Sequence, residues 1–119
     1  MKVIADVCII PIGTGVSLSR YVAACEKVLA QAPLKTQLHA NGTNVEGEWD
    51  DVFAALKRCH EVLHEMGVPR LSTVVRFGTR VDHDQSMDDK IKSVKEKLGP
   101  GACRRAESRR AIDDRRPSP

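Results

Sequence analysis

Several short runs of this 119-residue chain carry residue types that do chemistry. His60-Glu61-Val62-Leu63-His64 satisfies H-E-x-x-H, in which two imidazoles one helical turn apart ligate zinc and the glutamate serves as general base. The match extends through Gly67, but Arg70 stands where a longer zinc-peptidase signature has its third ligand. A cation there would repel the metal, and Gly67 has a sufficient role in ending a helix. The motif is read as a decoy, with both histidines on a solvated helix flank. Gly13-Thr14-Gly15, ahead of Ser17, could offer backbone N–H groups to an anion at a helix N-terminus. It lacks the lysine of a phosphate loop, so a turn capped by Ser17 explains it. Asp82-His83-Asp84 could suggest a metal, yet no further ligand follows at a known spacing, and a solvated loop is the cheaper reading.

The remaining candidate is a surface. Alternating runs flank Asn41-Gly42, the dipeptide best suited to a type I′ turn with φ > 0 at both central residues. A two-residue loop there sets Ala40 opposite Thr43, Leu38 opposite Val45, Gln37 opposite Glu46, Lys35 opposite Glu48 and Leu34 opposite Trp49. Leu34, Thr36, Leu38, Ala40, Val45 and Trp49 then share a core-seeking face. Lys35, Gln37, His39, Asn44, Glu46 and Glu48 share the other. Amide, imidazole and carboxylate groups on that second face could grip a polar or cationic ligand, or could simply meet water.

The elements that must hold these groups follow from periodicity. Lys2–Ile12 is a β-branched run, largely apolar on both faces, and so predicts a strand covered on both sides. Leu18, Val22, Cys25 and Leu29 mark an amphipathic helix that Pro33 ends. Val52, Leu56, Cys59, Leu63 and Met66 mark a second, starting at Asp50 or Asp51 and closed by Gly67. Leu71–Arg80 alternates as a strand. Ser86 with Asp89 forms a capping box for a third helix bearing Met87, Ile91, Val94 and Leu98. The order predicts an α+β, ferredoxin-like βαββαβ sandwich with a four-stranded antiparallel sheet plus a C-terminal helix. The second apolar face of the first strand, with Ile4, Cys8 and Ile10, predicts self-association to a dimer or tetramer.

Charged residues make up 29% of the chain and aromatics 3%, so the core is aliphatic and there is no stacking platform for nucleic-acid bases. Residues 1–99 balance 13 basic against 13 acidic side chains, and the +3 net charge comes from the remainder, with six Arg against three acids. A nucleic-acid partner is therefore not expected of the body. Residues 100–119 are expected to form a disordered Arg-rich tail beyond a single domain of residues 1–99. Four cysteines in no paired-motif spacing suit a reducing, cytoplasmic compartment, and no stretch approaches a membrane span.

Three long stretches, Pro11–Ala23, Asn41–Phe53 and Cys59–Arg70, together with Arg76-Phe77-Gly78-Thr79-Arg80, resemble the small thiamine-binding protein family across about residues 1–98. The family shows Pro-Met-Gly-Thr where this chain has Ala40-Asn41-Gly42-Thr43. The resemblance implies a tetrameric, cytosolic, ferredoxin-like protein that binds thiamine or its hydroxymethylpyrimidine part without an established reaction. Glu46 would accept from the aminopyrimidine, with Asn44 or Gln37 completing its edge. Thr14, Ser17 and Thr43, at strand ends, would add polar contacts, and Trp49 would pack in the core. No catalytic residue, metal or resident cofactor is expected. Two other classes stay open: an enzyme using Glu46 and His39 as acid and base, and an interaction module acting through the Arg-rich tail.

Overall fold

Val3, Ala5 and Val7 alternate along the first strand and are all buried, because each odd residue of β1 (Lys2–Ile12) points at the helices. The computed structural model describes residues 1–99, continuing as α1 (Ser19–Gln31), β2 (Lys35–His39), β3 (Gly42–Glu48), α2 (Trp49–Glu65), β4 (Arg70–Thr79) and α3 (Met87–Leu98). The strands form one antiparallel sheet in the order β2-β3-β1-β4. This is the expected α+β, ferredoxin-like βαββαβ arrangement followed by a third helix. The expected tail, with Cys103, lies outside the described residues.

The chain divides into two compact units, Met1–Asp84 and a second that starts at Gln85 and carries α3. In the first, Tyr21, Cys25 and Leu29 of α1 join Val52, Ala55, Leu56, Cys59 and Leu63 of α2 over Val3, Ala5, Val7 and Val45 of the sheet. Burying each aliphatic side chain contributes about 1.5–3 kcal/mol. At one end Trp49, Phe53 and Phe77 form an aromatic cluster with centroids 4.8–5.5 Å apart, but Trp49 is 37% exposed there and is not the core residue anticipated. Gly67, at φ 92°, ends α2 as anticipated, its N–H donating to the His64 carbonyl at 3.0 Å.

The second unit's helix begins with the anticipated capping box. Asp89 N–H donates to Ser86 Oγ (3.1 Å) and Ser86 N–H donates to Asp89 Oδ2 (3.0 Å). Of its stripe, Met87 is buried while Ile91, Val94 and Leu98 are exposed.

Three local expectations are corrected. The hairpin pairs Lys35 with Glu46, Thr36 with Val45, Leu38 with Thr43 and His39 with Gly42, two residues from the anticipated register. Its turn is Ala40-Asn41, and no non-glycine residue described has positive φ. Gly42 is spent on a close approach instead, since a Cβ there would stand 2.5 Å from the Val7 carbonyl oxygen of β1. Ser17 does not cap α1; the capping position is Leu18, without a side-chain hydrogen bond. Trp49 opens α2 rather than pairing with Leu34 in the hairpin.

Candidate functional site

β1 pairs with β3 only from Lys2 to Val7, whereas its ladder with β4 runs on to Ile12. Past Val7, therefore, β1 has a strand on one side and the tip of the β2–β3 hairpin near the other. Pro11 falls in this stretch, where a missing N–H costs least. Between the free edge of β1, the hairpin tip and the first half of α1 lies a cavity of about 370 Å³. Its walls are mainly apolar, with Ile9, Leu18, Val22, Cys25 and Leu38 among them.

One carboxylate stands in those walls. Thr43, 6% exposed, donates its hydroxyl to Glu26 Oε1 at 2.5 Å, tying β3 to α1. Glu26 follows Leu18 and Val22 at intervals of four, so it rides the same helical ridge as the apolar wall. At the hairpin tip, Asn41 N–H donates to His39 Nδ1 (3.3 Å), which leaves the ring proton on Nε2 to be donated to Asp6 Oδ1 (2.7 Å). His39 reaches Asp6 across Gly42, the strand position without a side chain: a Cβ on Gly42 would lie 3.3 Å from both His39 Cε1 and Asp6 Oδ1.

The other anticipated contacts lie elsewhere. Gln37, Asn44, Asp6 and Arg76 form one row across the opposite sheet face. Asn44 Nδ2 donates to Gln37 Oε1 at 3.5 Å. Glu46, 6% exposed, is on that same face and forms an ion pair with Lys2 Nζ at 2.8 Å. Lys2 also reaches Asp84 at 3.0 Å, and these two carboxylates, Glu46 foremost, raise its pKa above the ordinary 10.5. Thr14 Oγ1 is shielded from solvent with no hydrogen-bond partner among the described residues, and Ser17 is exposed; neither lines the cavity. The cavity thus gathers Thr43 with Glu26 and His39, and separates them from Gln37, Asn44 and Glu46. Sequence reasoning missed Glu26, although an acid four residues beyond Val22 on an apolar ridge was a usable signal.

The histidines of H-E-x-x-H have structural partners. His60 Nε2 lies 2.6 Å from Thr73 Oγ1 of β4, and His64 Nδ1 donates to the Val68 carbonyl at 2.8 Å. The acids of the Asp82–Asp84 loop are likewise engaged. Arg80 grips Asp82 through Nε (2.6 Å) and Nη2 (2.9 Å), holding its pKa down to about 2, and Asp84 meets Lys2. Among the described residues no three His, Cys, Asp or Glu side chains are grouped to hold a metal. Contact with the Cys25 thiol and burial push the buried Cys59 thiol well above its ordinary pKa, while the same contact lowers that of Cys25 in the cavity wall.

Fold and cavity define a ferredoxin-like α+β protein with a site of small-molecule size. Residues 5–95 match the family described as thiamine-binding protein, and the chain belongs to that family. It is 60% identical over 94 residues to the UPF0045 protein sll0230 of Synechocystis, covering 79% of this chain and 78% of that one. A solved structure of protein MJ1052 from Methanocaldococcus jannaschii superposes with a TM-score of 0.74 at 33% identity, over 78% of this chain and 95% of that one. A Thermotoga maritima structure, assigned provisionally to thiamine biosynthesis or salvage, shares the fold with a TM-score of 0.68 at 16% identity, over 80% and 100% of the two chains. Among the described residues no helix is long and apolar enough to cross a membrane.

Proposed function

We propose that the cavity beside the hairpin tip binds thiamine or its hydroxymethylpyrimidine part, without turning it over. The observation that carries this reading is the Glu26 carboxylate, set with Thr43 in an otherwise mainly apolar cavity of about 370 Å³. An aminopyrimidine presents an exocyclic amine, which a carboxylate accepts, and a flat apolar ring suited to aliphatic walls. The cationic thiazolium of thiamine gains further from the same negative charge. Past Val7 the free edge of β1 adds backbone groups that a heterocycle edge can meet. Membership of the thiamine-binding family supports the same ligand class.

The reading includes self-association in the cytoplasm. Ile10, Ile12 and Val74 share the sheet face away from α1 and α2 and are 40–60% exposed, which suits a second copy as cover. Calorimetric titration with thiamine and with hydroxymethylpyrimidine, followed by recovery of the ligand, tests the function. Saturable binding with unchanged ligand is expected, weakened about tenfold or more by Glu26→Ala. Binding that is indifferent to Glu26→Ala would move the site elsewhere, and a chemically altered ligand would make the protein an enzyme.

A further inference from the structure

We propose that Glu26 makes this site charge-selective, so that it takes the unphosphorylated, neutral or cationic heterocycle and rejects phosphate esters of the same molecule. The inference rests on the binding reading above and narrows it to a ligand class. Its basis is the distribution of charge around the cavity. Glu26 is part of the wall, and among the described residues that line it none is lysine or arginine.

The cations nearest in sequence on α1 are engaged or turned elsewhere. The Arg20 guanidinium lies over the Tyr21 ring, 4.8 Å from its centroid, and donates to the Tyr21 hydroxyl at 2.9 Å. Lys27 lines a different groove, between α1 and α2, beside Ala24, Ala55 and Arg58. On the sheet, Arg76 occupies the face opposite Val75 and Thr43. At the hairpin tip His39 Nε2 lies 2.7 Å from Asp6 Oδ1, so any charge on the imidazole is matched by that carboxylate.

A phosphate ester brings between one and two negative charges at neutral pH. In a partly enclosed, mainly apolar cavity it would meet the Glu26 carboxylate and no lysine or arginine among the described lining residues, and like charges at such distances are poorly screened. Without an arginine or lysine to take the phosphate, its desolvation is uncompensated as well. The uncapped start of α1 could favour an anion, but of that segment only Leu18 lines the cavity; Gly13 to Ser17 and Ser19 to Tyr21 do not.

The test is calorimetric titration of the full chain with thiamine, thiamine monophosphate and thiamine diphosphate at one fixed ionic strength. Thiamine is expected to bind about 10–100-fold more tightly than either ester. Glu26→Gln preserves an acceptor for Thr43 and removes the charge, so it should narrow that gap about tenfold. Val22→Lys, at a cavity-lining position that is 40% exposed, should narrow it independently by supplying a cation. Esters that bind as tightly as thiamine, or a gap unmoved by both variants, would overturn the charge selection while leaving the binding function standing. Absence of binding in every arm, with the chain folded, would overturn the binding reading itself.

Discussion

Gly42→Ala separates two accounts of the hairpin tip. On the type I′ account glycine is there for its left-handed conformation; in the structure its φ is not positive, and it is there because β1 passes close. A Cβ at this position would stand 2.5 Å from the Val7 carbonyl oxygen and 3.3 Å from both Asp6 Oδ1 and His39 Cε1. Carbon–oxygen contacts settle at about 3.3 Å or more, so β1 and β3 would have to part by something like 0.8 Å where their pairing ends. Overpacking of this kind costs about 1–3 kcal/mol. Loss of the His39–Asp6 hydrogen bond adds about 0.5–1.5 kcal/mol. Reduced freedom of the unfolded chain returns about 0.4–1 kcal/mol. The net expectation is a loss of about 0.5–4 kcal/mol, centred near 2, read as a lower urea midpoint at unchanged m-value. Asn41→Ala is the control. In a turn without positive φ it should cost less than about 0.5 kcal/mol, whereas a left-handed position would make it cost about 1–2 kcal/mol. A neutral Gly42→Ala, or a costly Asn41→Ala, would refute the close-approach account.

Other outcomes follow from the same packing. His60→Ala with His64→Ala removes the bonds to Thr73 and to the Val68 carbonyl and should cost about 1–3 kcal/mol in chemical denaturation while leaving ligand affinity unchanged. A solvated flank alone would have left stability nearly untouched. Val45→Ala, at a position 1% exposed beneath both helices, should cost about 2 kcal/mol by the same measurement, and a cost near zero would place the core elsewhere. Because the folded pKa of Lys2 is raised, its contribution is complete below the ordinary 10.5 and is lost as pH rises through the higher folded value. The stability difference between the native chain and Lys2→Met should accordingly hold steady near neutrality and shrink only in strong alkali, and an earlier loss would count against the Glu46 partnership. Ile10→Lys should lower the sedimentation coefficient toward that of a monomer; an unchanged value would put any self-association on another surface.

Sequence periodicity was enough for the elements, their order and the face on which each strand residue lies. Even the misplaced turn left the faces right, because strand side chains repeat every two residues and the register differs by two. Capping chemistry was equally legible at Ser86 and Gly67, since those bonds are made within a few residues of chain. Ser17 was less so: its hydroxyl had the right type for a cap, but the helix begins two residues later.

What only the tertiary structure decided is the cavity. It exists because β1 outruns β3 while remaining paired with β4, a matter of strand order and length that no local pattern encodes. The same holds for Glu26. Its helix is readable from the sequence, but its meeting with Thr43 joins residues 17 apart through the packing of α1 on the sheet. Glu46 shows the converse, a carboxylate on a suitable face whose charge is taken by Lys2, 44 positions away in the chain. Residue type and spacing determine which surfaces are available, because they act over a turn or a strand. Which carboxylate faces an apolar cavity and which faces a cation depends on long-range contacts, and these form only when the sheet closes.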